Sequence, residues 1–153
     1  MKIFIGADHR GFSLKEDIKS YLLSKSDEVI DMGTHELDLN DDYPDFAYPV
    51  AQEVMKDPAN SRGILICGSA MGMDVVANKV RGMRATVAYS KFSAQHARQN
   101  DDILVITLAA DVLKEREAQD IVDAFLTTPF SGEERHIRRL QKIAEIERQN
   151  FKE

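Results

Sequence analysis

The chain has 153 residues, 43% hydrophobic and 30% charged, with a formal net charge of −6. This length accommodates one domain with a full hydrophobic core, so we expect residues 1–153 to form a single domain. The acidic balance argues against nucleic-acid binding, and no apolar run is long enough to span a membrane. One cysteine and an N-terminus that begins directly with a strand pattern predict a cytoplasmic protein without an internal disulfide.

Strand and helix patterns alternate along the chain. Apolar runs predict strands at 2–7, 29–30, 63–66, 84–88 and 103–108. Helical spacing or helix-start signals predict helices from Phe12 to about 22, from near Pro44 to Asp57, through 75–80, and over 90–98, 114–125 and about 133–151. The strands are continuous apolar runs, which is typical of a parallel sheet covered on both faces. The pattern therefore predicts a three-layer α/β/α, Rossmann-like (flavodoxin-like) fold with a five-stranded parallel sheet and a C-terminal helix.

The segment from Arg62 to Lys79 reads as a strand, a tight loop and a helix. In such a unit the loop N–H groups and the helix dipole converge on one point, which favours an anion. Cys67 lies at the rim of this loop, and the same field predicts a thiol pKa below the ordinary value of about 8.5. The alternative is a buried small residue that closes a core strand. Asp8 and His9 follow the first strand and would reach the same edge of the sheet.

The C-terminal helix has one basic and one apolar face. The basic face carries Arg135, Arg138, Arg139 and Lys142, and the apolar face carries Ile137, Leu140, Ile143 and Ala144. Three interpretations remain open: a solvated surface, a phosphate clamp made by two arginines one turn apart, and a helix that packs on a partner subunit. The last two are compatible with each other.

Several related sites are excluded by single positions. Ala70 stands between Gly68 and Gly72, so the dinucleotide fingerprint G-x-G-x-x-G is missing, and the Walker pattern is missing as well. A phosphatase loop would need Arg where Met73 stands. The four histidines lack paired zinc spacing, so we expect no metal.

The chain carries these motifs in order: Gly6-Ala7-Asp8-His9-Arg10-Gly11-Phe12 with Lys15, Asp31-Met32-Gly33-Thr34, Asp42-Tyr43-Pro44-Asp45, Ile66-Cys67-Gly68-Ser69, Gly72-Met73, Ala77-Asn78-Lys79-Val80, and Arg135-His136 with Arg139. Taken together, they resemble the ribose-5-phosphate isomerase B family, which belongs to a wider group acting also on allose and galactose 6-phosphates. The resemblance covers nearly the whole chain. It implies a Rossmann-like domain, a homodimer or homotetramer, a phosphorylated sugar as substrate, and neither cofactor nor metal.

The resemblance also implies a reaction, the isomerisation of ribose 5-phosphate to ribulose 5-phosphate through a cis-enediolate. Such a reaction needs a base for carbon and donors for an oxyanion. In this family Cys67 would be the base, assisted by Asp8 and Ser69. The expected substrate-binding residues are Asp8, His9, Tyr43, Gly68, Ser69, Ala70, Met71, Gly72, Asp101, Arg135, His136 and Arg139, with the two arginines on the phosphate.

Four positions, in three segments of the chain, depart from the family pattern. Asn100 and Asp101 stand where the family has His and Asn, so the ring-opening position, which we keep as catalytic, holds an Asn that cannot transfer a proton as imidazole does. Asp111 replaces an Arg, and Ala70 replaces a Gly. The alternatives are an isomerase for a hexose 6-phosphate, an altered or inactive sugar-phosphate-binding relative, or a chain that needs a heteromeric partner. His96, one helical turn before Asn100, is either a substitute acid or an ordinary surface residue.

Overall fold

The computed structural model describes residues 1–25 and 27–151. The strands are β1 (Lys2–Ala7), β2 (Glu28–Asp31), β3 (Ser61–Cys67), β4 (Ala85–Val87) and β5 (Val105–Ala109). The helices are α1 (Phe12–Ser24), α2 (Pro44–Lys56), α3 (Met71–Ala77), α4 (Lys91–Asp101), α5 (Glu115–Thr127) and α6 (Glu134–Asn150). The alternation is as predicted, but α4 runs three residues further than expected and α3 ends earlier. Residues 152 and 153 of the predicted domain lie outside the described residues.

All five strands pair in parallel, in the order β2-β1-β3-β5-β4. The predicted fold class is therefore confirmed. The flavodoxin-like fold has the strand order β2-β1-β3-β4-β5, and this part of the prediction is wrong at one edge, where β5 and not β4 pairs with β3. Burial explains the difference. Residues 105–108 of β5 are buried and need a neighbour on each side, whereas β4 has three residues, two of them partly exposed, as suits a short edge strand.

Two apolar clusters cover the two faces of the sheet, with consecutive residues of β3 alternating between them. Ile64 and Ile66 pack with α1, α4 and α5, and Leu65 and Cys67 pack with α2 and α3. This is the layer on each face that the continuous apolar strands predicted. It places the Cys67 side chain on the α2 and α3 side.

Buried charges fix α1 against β2. The Lys15 side chain is fully buried, and its Nζ donates to Asp31 Oδ2 at 2.7 Å and to Glu16 Oε1 at 2.6 Å. Burial tends to raise the pKa of Asp31, but hydrogen bonds from Lys15 and Lys19 outweigh it and lower that pKa below its usual value. A buried cation needs such partners, so these ion pairs fix the position of α1 relative to β2.

Helix α6 lies outside the three layers. The Glu147 carboxylate accepts a hydrogen bond from the Gly82 backbone N–H at 2.6 Å, and the helix also contacts α4. Ile137, Ile143 and Ile146 on this helix remain exposed. Packing of α6 on a partner subunit stays a prediction. Across residues 1–25 and 27–151, no helix combines the length and apolar character needed to cross a bilayer.

Candidate active site

The carboxyl ends of β1, β3 and β5 surround a cavity of about 270 Å³. The chain leaves β1 and β3 toward opposite edges of the sheet, and ligands bind at such switch points. Six residues predicted for the site line this cavity: Asp8, Tyr43, Cys67, Gly68, Ser69 and Gly72. Two further residues line it that the sequence did not assign to the site, Arg10 and Asp111.

Cys67 is the last residue of β3, and only 4% of its surface is exposed. Burial raises the pKa of its thiol, and the nearby Asp8 carboxylate acts in the same direction. Backbone N–H groups of Met73, Ala70 and Ser69 lower the pKa but do not outweigh burial. The predicted fall in pKa is therefore wrong, because removal from water costs the thiolate more than the loop donors return. The thiol is both part of the core and open to the cavity.

The loop after Cys67 keeps a backbone that glycine would prefer. Ala70 is buried, precedes α3 and has φ of 69°, in the left-handed region. An alanine tolerates this conformation at a modest cost, so the departure at residue 70 leaves the backbone in place. Met71 points outward, with 68% of its surface exposed. It does not line the cavity.

One wall of the cavity depends on a close contact between Gly72 and Tyr43. A β-carbon at residue 72 would lie 2.8 Å from Cζ of the Tyr43 ring. The ring therefore rests on the loop backbone where only a glycine leaves room. This contact joins the start of α2 to the start of α3 beside the thiol.

An ion pair forms the opposite wall. Arg10 Nη2 donates to Asp111 Oδ2 at 2.5 Å. A β-carbon at Gly68 would lie 2.6 Å from Arg10 Nε and 2.8 Å from Asp111 Oδ2, so the pair lies directly on the residue after the thiol. The sequence held part of this signal, because Arg10 and Asp111 follow the apolar runs that form β1 and β5, the two strands on either side of β3.

Asp8 and His9 have different surroundings. Asp8 is buried, and its Oδ1 accepts the backbone N–H groups of Arg10 and Gly11, each at 3.0 Å. His9 is held by Asp41, whose Oδ1 lies 2.6 Å from His9 Nδ1 and 3.1 Å from the His9 backbone nitrogen. Among the described residues Asp41 Oδ2 is buried without a hydrogen-bond partner. Asp41 orients the imidazole through Nδ1, although His9 itself is not among the cavity-lining residues.

Asn100 and Asp101 lie at the end of α4, away from this cavity. Asn100 Nδ2 is 2.8 Å from His96 Nε2, so the two side chains share a face of the helix as expected. His96 stacks on Phe92, with ring centroids 5.4 Å apart. His96 and Asp101 line a second cavity of about 220 Å³ at the end of β4. Because β5 separates β4 from β3, this second cavity is distinct from the one at Cys67.

The predicted phosphate ligands are on α6 and do not line the Cys67 cavity. Arg135 Nε donates to Glu133 at 2.8 Å on an exposed surface, and Arg139 is also exposed. His136 is buried, with Nδ1 2.7 Å from Ser131 Oγ. Their roles at the phosphate stay predictions.

Comparison with known proteins agrees over nearly the whole chain. Residues 3–143 match the Ribose/Galactose Isomerase family. The chain is 40% identical to ribose-5-phosphate isomerase B of Mycolicibacterium paratuberculosis over 97% of this chain and 92% of the relative.

Two solved structures are also similar. Ribose-5-phosphate isomerase B of Mycoplasma genitalium with bound ribulose-5-phosphate has a TM-score of 0.93 and 42% identity over 97% of both chains. The enzyme of Clostridium thermocellum has a TM-score of 0.92 and 42% identity over 97% of this chain and 99% of that one. The chain thus belongs to the Ribose/Galactose Isomerase family, a family of isomerase enzymes.

Proposed function

We propose that this enzyme interconverts ribose 5-phosphate and ribulose 5-phosphate through a cis-enediolate, with Cys67 as the base. The observation that carries the proposal is the position of Cys67, at the end of β3 in a cavity shared with Asp8 and Ser69. The relatives are named ribose-5-phosphate isomerase B, and the structure from Mycoplasma genitalium has ribulose-5-phosphate bound. Neither the proposed base nor its partners require a metal or cofactor.

In the proposed reaction the Cys67 thiolate takes the proton from C2 of the open-chain aldose. The C–H electron pair forms the C1–C2 double bond, and the carbonyl electrons move to O1 as an oxyanion. Ser69 and the loop N–H groups are placed to donate to the enediolate oxygen. The hydroxyl proton of O2 then passes to O1, the O2 electrons form the C2 carbonyl, and the C1–C2 double-bond pair takes the proton back from the thiol at C1. The raised pKa of Cys67 makes its thiolate a stronger base toward carbon in the abstraction step, while a smaller fraction of the thiol is ionised at neutral pH.

We further propose that the enzyme is a homodimer. The exposed isoleucines of α6 give a self-association surface, and the predicted ligands Asn100, Asp101, Arg135, His136 and Arg139 do not line the Cys67 cavity of their own chain. A second copy whose α4 and α6 border the cavity would bring these ligands to the substrate. We place the enzyme in the cytoplasm and in the pentose phosphate pathway.

The Asn at residue 100, in place of the family's ring-opening His, is the observation behind two alternatives, an isomerase for a hexose 6-phosphate and a sugar-phosphate-binding relative that has lost catalysis. Turnover of ribose, allose and galactose phosphates by the wild type and by Cys67→Ser tests the proposed ribose 5-phosphate isomerisation against these alternatives. We expect ribulose 5-phosphate from ribose 5-phosphate, and none from Cys67→Ser although it keeps the wild-type fold. Turnover of a hexose 6-phosphate alone would establish the alternative. Absence of turnover with every sugar would leave a binding protein that has lost catalysis.

A further inference from the structure

The backbone N–H groups of Arg10 and Asp111 each donate to a residue that lines the active-site cavity. The Arg10 backbone N–H donates to Asp8 Oδ1 at 3.0 Å, and the Asp111 backbone N–H donates to the Gly68 carbonyl at 3.1 Å. The side chains meet at 2.5 Å over Gly68. Three strand ends therefore fix the position of one guanidinium next to the thiol.

The charges of the cavity make this guanidinium important. Among the described residues that line the cavity, Arg10 carries the one positive charge, against the two carboxylates of Asp8 and Asp111. The Asp8 carboxylate already accepts two backbone N–H groups. A phosphorylated substrate brings about 1.5 to 2 further negative charges at neutral pH. Without Arg10 this wall of the cavity would repel such a ligand.

We propose that the Arg10 guanidinium, positioned by Asp111, binds the phosphate of the substrate in this cavity. The inference rests on the proposed function in taking a sugar phosphate as the ligand. Arginine has five N–H donors in a planar fork, and the hydrogen bond to Asp111 is made by Nη2. That bond uses one of the five donors, and the remaining N–H groups can donate to phosphate oxygens, a group that the planar fork of arginine binds well.

The competing interpretation is an ordinary surface ion pair. The Arg10 and Asp111 side chains are 57% and 44% exposed, and such pairs add little to stability. The two interpretations differ in what they predict for ligands. Loss of a surface pair would affect the binding of a sugar and of its phosphate equally. Loss of an arginine that binds the phosphate would weaken the phosphorylated sugar much more than the free sugar.

Binding of inorganic phosphate, ribose 5-phosphate and ribose to Arg10→Gln, Asp111→Asn and the wild type tests the proposal, measured by NMR titration of the full chain. Arg116→Gln is the matched control, because Arg116 forms an exposed pair with Asp120 on α5. We expect Arg10→Gln to weaken both phosphate ligands about 10-fold and to leave ribose unchanged, as loss of a charge-assisted hydrogen bond predicts. Asp111→Asn should retain most of the phosphate affinity, because its amide oxygen still accepts from Arg10 and a repelling charge is removed. The control should match the wild type.

Two results would overturn the proposal. The first is unchanged phosphate affinity in Arg10→Gln. The second is an equal loss in Asp111→Asn and Arg10→Gln, which would indicate a distorted cavity instead of a lost ligand. These binding measurements are separate from turnover. If the wild type isomerises ribose 5-phosphate but Arg10→Gln binds phosphate normally, this inference alone fails; if phosphate binding depends on Arg10 but no sugar is isomerised, the proposed function alone fails.

Discussion

Gly11→Ala tests the close approach that brings Asp8 next to Cys67. A β-carbon at residue 11 would lie 2.1 Å from the carbonyl oxygen of Ile66 and 2.5 Å from its carbonyl carbon. The same carbonyl oxygen accepts the backbone N–H of Asp8 at 3.3 Å. The substitution would therefore push the start of α1 away from β3 and break the hydrogen bond that joins the two functional strand ends.

The size of the effect follows from the geometry. Gly11 has φ of −89°, which any residue adopts, so backbone strain contributes nothing and reduced chain entropy alone would stabilise the variant by about 0.4 to 1 kcal/mol. The contact works against this, because the carbonyl must move by about 0.9 Å to restore the 3.0 Å below which β-carbons are essentially never found. Overpacking costs about 1 to 3 kcal/mol, and more where the obstacle is backbone. We expect a net loss of about 3 kcal/mol and a fall in Tm of about 6 to 12 °C.

Thermal and urea unfolding measure this loss, with Gly132→Ala as the control. Gly132 has φ of 66° and open space around it, so the control should lose only the roughly 1 to 2 kcal/mol of left-handed strain. We also expect a lower kcat in Gly11→Ala at temperatures where the variant is folded. A Gly11→Ala protein as stable as the wild type, or more stable than Gly132→Ala, would refute the close approach of the β1–α1 loop to β3.

Three further predictions concern the thiol, the Tyr43 wall and the buried lysine. Because the pKa of the Cys67 thiol is raised, kcat/KM should rise with pH through the alkaline range. The free energy of unfolding should fall over the same range, since the folded state holds the thiol proton more tightly than the unfolded state, and Cys67→Ser should lack this loss. A kcat/KM that is flat from neutral pH upward would contradict the role of Cys67 as the base. Gly72→Ala should displace the Tyr43 ring and raise KM for the sugar phosphate about 10-fold with little change in Tm, whereas an unchanged KM would remove this wall from the site. Lys15→Met should lower the free energy of unfolding by about 3 kcal/mol near neutral pH, measured by urea unfolding. The loss should shrink as pH falls through the lowered pKa of Asp31, because a protonated carboxyl no longer needs a cation beside it. An equal loss at acid and neutral pH would argue against the ion pair.

The sequence was sufficient to predict the strand ends that carry the site. Lys2–Ala7 and Ser61–Cys67 are apolar runs that end in polar residues, and parallel pairing brings such ends together. The predicted start of the fourth helix at residue 90 was close to the observed one, because the Ser90 side chain caps α4 by accepting the Ser93 N–H.

Other features depend on contacts between distant segments. Strand β5 lies between β3 and the edge strand β4. This order depends on how deeply each whole strand is buried, which the local sequence pattern does not show. The pKa of Cys67 is the difference between two opposing effects, burial and loop donors, and the sequence shows only the donors. The Arg10–Asp111 pair joins residues 101 positions apart, so the sequence showed Asp111 as a departure from the family pattern but did not show Arg10 as its partner.

Exchange of the C2 proton of ribose 5-phosphate with solvent deuterium, followed by NMR, tests the central claim most directly. It detects proton abstraction at carbon without requiring complete turnover. The account predicts enzyme-dependent exchange with the wild type and none above background with Cys67→Ser, whose hydroxyl is too weakly acidic to replace the thiolate. Exchange at the wild-type rate in Cys67→Ser would contradict the role of Cys67 as the base.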